Sequence, residues 1–423
     1  MPSFYIDTFG CQMNVADSDM LAELLSARGY TQTSDSDSAD LLIVNTCSVR
    51  ARAEQRAKAR ISEYAAHKKN KGLNQAIWVV GCMAERMGER LAQQISGVDK
   101  VIGATRIEHI SHDIDSFLGQ VATINKGSDS ASYGVSTFLP VMRGCDNYCS
   151  YCIVPYVRGR EHSLPVDVLV DKVRRLASCG VKEITLLGQN VNSYHDGECD
   201  FSQLLRKLHD IDGIERFRFT TSHPKDCSDA LIKTVANLPR LCSHFHLPVQ
   251  SGSTRILGLM NRKYNRQDFL RLIDKIRRAI PGADITTDVM VGFPGETEED
   301  YEQTLSLFED VRFTAAFMFA YSTREQTAAA KLPGQIPAPA KKQRLQTLIA
   351  LQTEITKEIY AQMVGKTVEA LFTMKQEKHD GAWLGQDYGC KRVVLNCPDT
   401  LAGMILSVKI IGSSGMTLIA ERS

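Results

Sequence analysis

Three apolar runs open the chain, Phe4–Cys11 (FYIDTFGC), Asp40–Cys47 (DLLIVNTC) and Ala76–Cys82 (AIWVVGC), and each ends at a cysteine. Their β-branched and aromatic residues predict strands. Helical stretches, Ser18–Arg28 and Ala51–Lys69, lie between them. Strands alternating with helices predict βαβ units and a parallel sheet. The alternation resumes at longer period, with predicted strands Ser136–Met142, Val181–Gly188, Ile214–Thr221, His244–Val249, Ile285–Gly292 and Ala315–Ser322. The gaps hold amphipathic patterns such as Asp167–Cys179, Gln267–Ile280 and Glu298–Val311, apolar at three- and four-residue steps. Six βα units are too few to close an eight-stranded barrel, so an open (β/α)6 partial barrel is expected. A proline-rich connector, Lys331–Lys341, precedes a predicted helix, Lys342–Met363. Short β segments follow at Thr367–Met374, Val393–Leu395, Ile405–Ile411 and Met416–Ala420, the pattern of a small antiparallel barrel. The fold class is α/β, and the expected division is 1–120, 131–361 and 363–423.

A chain of 423 residues with 43% hydrophobic and 23% charged residues is an ordinary globular composition with room for several cores. The N-terminus has no basic region followed by an apolar one, and no apolar stretch approaches the ~20 residues that span a bilayer. A cytoplasmic location without membrane is expected, where twelve cysteines remain thiols. A net charge of +1 neither requires nor excludes nucleic acid. Any such contact must be local, and Arg50, Arg52, Arg56, Lys58, Arg60, Lys68, Lys69 and Lys71 stand against only Glu54 and Glu63. This run is a candidate phosphate contact beside Cys47, or else a solvated helix face. The tail, with seven Lys/Arg and six Asp/Glu, is nearly neutral.

Cys145, Cys149 and Cys152 form a C-x3-C-x2-C triplet on one short stretch. Three thiolates leave one iron of a four-iron cluster open, whereas a structural zinc asks for four closed ligands. A zinc site completed by His162, or three unrelated thiols, is the alternative. Cys11, Cys47 and Cys82 are spaced by 36 and 35 residues, one βα repeat each, so a parallel sheet brings them to its carboxyl edge. Small buried cysteines closing three strands are the bland alternative. At the other strand ends stand Gln189-Asn190, Ser222-His223, Gln250-Ser251-Gly252 and the turn from Gly292 to Gly295. His162, His223, His244 and His246 read as packing or hydrogen-bonding residues.

Two triplets in this order, with Gly144–Ser163 (GCDNYCSYCIVPYVRGREHS) and His246–Ser253 (HLPVQSGS), resemble the radical S-adenosylmethionine (SAM) methylthiotransferases along the whole chain. The closest resemblance is to the branch that acts on N6-dimethylallyladenosine beside the anticodon of tRNA. The family implies an N-terminal cluster domain, a radical SAM core and a C-terminal TRAM domain. It also implies two [4Fe-4S] clusters, one on Cys145, Cys149 and Cys152 that binds SAM, and an auxiliary one on Cys11, Cys47 and Cys82. Tyr151, Gln189, Asn190, Ser222, Gln250, Ser251 and Gly292 are then candidates for SAM contact, and Arg50, Arg52, Arg56, Lys58 and Arg60 for RNA. The implied reaction removes hydrogen from C2 with a 5′-deoxyadenosyl radical and adds a methylated sulfur from the auxiliary cluster. An adenine C2–H is too weakly acidic for a side-chain base, so no catalytic acid or base is expected. A single-stranded anticodon loop, an external one-electron reductant and sulfur and cluster assembly proteins are the expected partners of a monomer. Thr323 and Gln326 replace the family's usual proline and glycine, and Gly385-Gln386-Asp387 replaces Gly-Arg-Thr in the tail. Rivals are the relatives that modify threonylcarbamoyladenosine or a ribosomal-protein aspartate, and a non-catalytic iron–sulfur RNA-binding regulator.

Overall fold

The computed structural model describes residues 2–48, 51–117, 133–376 and 381–423. The chain forms two compact units, one of Met1–Ser132, Arg143–Tyr148 and Cys152–Glu161, the other of Tyr133–Met142, Cys149–Tyr151 and His162–Ser423. Among the described residues no helix is long and apolar enough to cross a membrane.

The first unit is built on a sheet of β1 (Ser3–Thr8), β2 (Thr31–Gln32), β3 (Leu41–Thr46), β4 (Ala76–Gly81) and β5 (Lys100–Gly103). Its order is β2-β1-β3-β4-β5 and every pairing is parallel. Successive side chains of a strand point to opposite faces. Leu41, Ile43, Trp78 and Val80 accordingly pack with Leu21, Leu25 and Ile110. Leu42, Val44, Ile77 and Val79 pack with Ala57, Ile61 and Ala65 on the other face. Burial of both faces explains why β3 and β4 read as continuous apolar runs.

The second unit begins with β6 (Ser136–Pro140); the short β7 (Met142–Arg143) and β8 (His162–Ser163) flank the cysteine stretch. Then come β9 (Glu183–Leu187), β10 (Arg216–Phe219), β11 (His244–His246), β12 (Asp284–Val291) and β13 (Ala315–Ala320). They form two three-stranded parallel sheets, β10-β9-β6 and β11-β12-β13. A single parallel bridge, Phe217 to Leu241, joins strand β10 to the chain entering β11. The helices between them start where capping predicts. Asn265 and Asp268 form a capping box on Arg266–Ala279, and Thr297 and Asp300 do so on Glu298–Val311.

Helix Ala338–Ala361 leads to β14 (Thr367–Lys375), β15 (Ala382–Asp387), β16 (Arg392–Asn396), β17 (Ile405–Ser414) and β18 (Thr417–Arg422). These close a barrel in the order β14-β15-β16-β18-β17 around Phe372, Trp383, Leu395, Ile410 and Leu418. It is not wholly antiparallel as expected, since β16 pairs with β18 in parallel. The barrel is fastened to the amino ends of the parallel strands. Arg216 donates to the carbonyls of Gln386 (2.8 Å) and Glu369 (3.3 Å), and Arg218 to those of Asp387 (2.6 Å) and Gly389. The Lys391 ammonium lies 2.6 Å from both carboxylate oxygens of Asp284. Asp284 also accepts from the Cys390 N–H (3.0 Å) and the Thr314 hydroxyl (2.8 Å).

Several boundaries differ from expectation for identifiable reasons. The first helix spans Gln12–Ser26, starting well before Ser18, because Cys11 itself occupies the N-cap, a position that sequence rules reserve for other residue types. The helix expected from Lys342 starts at Ala338, since proline fits a first helical turn. Strands β5 and β15 were not foreseen. Within Ala382–Asp387 (AWLGQD) the glycine and the acidic end mask the strand pattern.

Candidate functional site

The parallel sheet delivers the ends of β1, β3 and β4 to one edge. Cys11 caps the helix Gln12–Ser26, Cys47 follows β3, and Cys82 opens the helix Cys82–Met87. A single side chain ties this edge together. The buried Asn14 amide donates to the carbonyls of Phe9 (3.0 Å) and Thr46 (2.9 Å) and to Oδ1 of Asn45 (3.1 Å). Asn45 answers by donating to the Asn14 carbonyl (2.8 Å) and the Ser18 hydroxyl (3.0 Å). Close approach depends on Gly10, whose φ is +137° and where a Cβ would stand 2.8 Å from the Cys47 Cβ.

None of the three is in a disulfide; Cys47 and Cys82 are buried and Cys11 is exposed. Burial pushes the Cys82 thiol up to about 11, the neighbouring Cys47 and Cys11 add to this, and Arg158 opposes it. Cys47 and Cys11 therefore lie close enough to act on Cys82 electrostatically. Among the described residues no three His, Cys, Asp or Glu side chains are grouped so as to hold a single metal ion. A four-iron cluster asks for a wider triangle, because each thiolate ligates a different iron. Soft thiolates, those of Cys11 and Cys82 at helix N-termini and that of Cys47 just past a strand end, are the donor set that suits it.

Arg158, six residues beyond Cys152, belongs to the same unit. Its Nε donates to the Cys82 sulfur (3.2 Å), and its Nη2 to Asn14 Oδ1 (3.0 Å) and Asp17 Oδ2 (3.1 Å). Asp17 is fully buried, and its other oxygen accepts from Arg143 (2.6 Å). Sequence reasoning assigned no role to Asn14, Asp17, Arg143 or Arg158. The signal was their placement, three and six residues after Cys11 and either side of the second triplet.

In that second triplet Cys145 is buried and its sulfur accepts from Asn147 Nδ2 (3.4 Å). Gly144 precedes it with φ +75°, and a Cβ there would collide with the Arg160 carbonyl. In the other unit the Cys149 sulfur accepts from Nη1 of the buried Arg262 (3.4 Å), which also donates to the Pro248 carbonyl (2.7 Å) and lies over the Tyr264 ring. Tyr151 packs against the cluster of Ile256, Met260, Phe293 and Tyr321.

The strand ends nearby carry buried polar atoms without a hydrogen-bond partner among the described residues. These are Gln189 Oε1 and Asn190 Oδ1 after β9, and the Ser222 hydroxyl after β10. Orphaned buried oxygens are costly unless a ligand meets them, so these three fit a polar cofactor. Gln250 holds a positive φ of 72°, with its backbone pairing to Asp288 and Met290. Ser251 is fully buried, and its hydroxyl accepts from the Ser253 N–H (3.2 Å). The Gly292 N–H donates to Glu296 Oε2 (2.6 Å). His223 is held neutral, its pKa lowered to about 2 by burial and by Arg262 and Lys225, and it accepts from the Lys225 N–H (3.2 Å). His244 and His246 share the Thr286 hydroxyl, at 2.7 and 2.9 Å.

Arg52, Arg56 and Arg60 are exposed on the helix Ala51–Lys71. Lys58 pairs with Glu54 (3.3 Å) and Arg60 with Glu63 (2.9 Å), so part of the positive run is neutralised locally. Arg50 lies outside the described residues.

Residues 139–308 match the Radical SAM superfamily, and residues 3–103 match a family described as Uncharacterized protein family UPF0004. The tRNA-2-methylthio-N(6)-dimethylallyladenosine synthase of Syntrophus aciditrophicus is 45% identical over 87% of this chain and 83% of its own. The synthase of the same name from Geotalea uraniireducens is 44% identical over 99% and 98%. That from Syntrophotalea carbinolica is 40% identical over the full length of both. In fold, the chain is similar to a radical S-adenosylmethionine methyltransferase, TsrM, from Kitasatospora setae, with TM-score 0.58, 14% identity and coverage of 78% and 77%. Identity of this extent along the full length, joined to the radical SAM match around the second triplet, settles the family: the chain belongs to the tRNA-2-methylthio-N(6)-dimethylallyladenosine synthases, radical SAM methylthiotransferases.

Proposed function

We propose that this chain converts N6-dimethylallyladenosine next to the anticodon of tRNA to its 2-methylthio derivative. The observation that carries this reading is the full-length likeness to synthases of that name in a chain that keeps both cysteine triplets. When bound, SAM and two [4Fe-4S] clusters supply one-electron cleavage of SAM, hydrogen abstraction at C2 and the sulfur that is transferred.

The residues do the holding. Cys145, Cys149 and Cys152 ligate the cluster that binds SAM, and Cys11, Cys47 and Cys82 ligate the auxiliary one. Gln189 Oε1, Asn190 Oδ1 and the Ser222 hydroxyl meet polar groups of SAM, which is supported by their lack of other partners. Tyr151 lies against the adenine. Gln250, Ser251 and Gly292 shape the same face through their backbone. Residues 1–120 form the auxiliary-cluster domain, 131–361 the open partial barrel of the core, and 363–423 the TRAM domain; the closed five-stranded barrel supports the last assignment. Arg52 and Arg56, with Arg50, Lys58 and Arg60, contact RNA phosphates, and the base leaves its stack from a single-stranded loop. The enzyme works as a monomer in the cytoplasm with an external one-electron reductant and sulfur and cluster assembly proteins.

Mass spectrometry of tRNA nucleosides from cells lacking the chain tests this. The 2-methylthio derivative should vanish while N6-dimethylallyladenosine accumulates, and complementation should restore it. Loss of a methylthio group from threonylcarbamoyladenosine instead, with the prenylated base unaffected, overturns the substrate assignment.

A further inference from the structure

Arg158 is more deeply committed to the first cysteine triplet than its place in the sequence suggests. It ends the short helix Val154–Arg158, on the stretch that carries Cys152, yet its side chain is only 5% exposed and points at Cys82. A buried guanidinium is costly unless its charge and its donors are met. Asn14 and Asp17 meet Nη2, at 3.0 and 3.1 Å. Asp17 divides its carboxylate between Arg158 and Arg143, so one anion serves two cations. The Nε of Arg158 is left to a sulfur, at 3.2 Å. Ligation of a cluster would make the Cys82 sulfur a thiolate, the anionic acceptor that completes this arrangement.

We propose that Arg158 is a positioning residue for the cluster on Cys11, Cys47 and Cys82: its N–H to the Cys82 sulfur orients that ligand and raises the cluster's reduction potential. The inference rests on the auxiliary-cluster reading given above. Reduction adds one electron and one negative charge to a cluster without making or breaking a bond. A fixed cation and an N–H donor at a ligating sulfur stabilise the reduced form more than the oxidised one, and hydrogen bonds to sulfur and local charge are what set such potentials. Because the peptide from Cys152 to Arg158 is short, the same residue also anchors part of the SAM-cluster loop to the first triplet.

The test uses the full chain with Cys145, Cys149 and Cys152 changed to Ala, reconstituted anaerobically so that only the auxiliary site is loaded. Iron and labile sulfide per chain are measured first. The midpoint potential is then read by dithionite titration followed by electron paramagnetic resonance. Arg158→Gln should keep its iron and favour the oxidised form about tenfold more, a fall of about 59 mV for a one-electron couple. Arg158→Lys, which keeps the charge and loses the planar fork, should recover part of the fall. Asp17→Asn, which removes the anion offsetting Arg158, should move the potential upward, and it decides the matter should the Gln variant fail to load. Unchanged potentials in loaded Gln and Lys variants, or a fall in Asp17→Asn, overturn the role of Arg158. Absence of iron in the parent itself overturns the auxiliary cluster first, and the inference with it.

Discussion

Lys391→Met isolates what holds the C-terminal barrel in place. The ammonium sits 2.6 Å from both oxygens of Asp284 and 3.6 Å from Asp387, with 8% of its side chain exposed. Burial, chiefly, together with the negative charge of Asp284, holds the Asp387 carboxyl above its usual range, against the pull of Lys391 itself. Removing the cation leaves two carboxylates facing each other away from water. Breaking a buried ion pair from one side costs about 3–5 kcal/mol. At about 2–4 °C per kcal/mol for domains of 150–250 residues, the melting temperature should fall by at least ~6 °C. Adding Asp284→Asn removes one orphaned charge while keeping an acceptor for the Cys390 N–H, so the double variant should recover about half of the loss. The sign of the pH dependence follows. With its carboxyl raised, the folded state binds more protons than the unfolded one, so stability falls as pH rises and the Lys391→Met penalty shrinks in acid. Pulse proteolysis in urea, with mass spectrometry of the released tail, reads Lys391→Met, Asp284→Asn and the double variant. A loss below about 0.5 kcal/mol for Lys391→Met, or strictly additive effects in the pair, would refute the reasoning, since surface changes without such a role cost no more than that.

Asn14→Ala should destabilise the first unit by about 1–3 kcal/mol, because the Phe9 and Thr46 carbonyls lose a donor; chemical denaturation of the unloaded chain reads this, and iron retention at the first triplet should drop with it. Gly144→Ala should abolish iron binding at Cys145, Cys149 and Cys152 and SAM cleavage, while the Cys11, Cys47 and Cys82 site still loads; full iron content would contradict the steric argument. Arg52→Gln with Arg56→Gln should weaken tRNA binding and reduce its salt slope by about 1–2 counterions. Lys58→Gln, at a residue already paired with Glu54, should do less, and an effect as large as that of the double variant in a salt series would count against the helix as a phosphate contact.

Much of the site was legible because its chemistry is written in residue type and spacing. Cysteines that end strands one βα repeat apart must reach one edge of a parallel sheet, and the observed β1, β3 and β4 obey that rule. What stayed hidden depends on contacts between distant segments. Nothing near Arg158 in the sequence mentions Cys82, 76 residues away. Nor does the near-neutral tail reveal that Asp284, Arg216 and Arg218 fasten it. The expected division gives the terminal barrel bounds of its own, 363–423, but composition says nothing of the buried ion pairs and carbonyl contacts that join it to the parallel strands. Local pattern reports an element's face. It does not report what that face will meet.

The manner of that fastening has an evolutionary corollary. Arg216 and Arg218 recognise the main chain of Glu369, Gln386, Asp387 and Gly389. A carbonyl oxygen is present whatever side chain the residue carries, so the identities of positions 369 and 386 are nearly free as far as the seating is concerned. Gly389 is the exception, since any Cβ there would strike Asp284. The outer surface of the terminal barrel can therefore diverge from one lineage to the next, acquiring new charge or new aromatic rings, while the mounting beneath it stays unchanged.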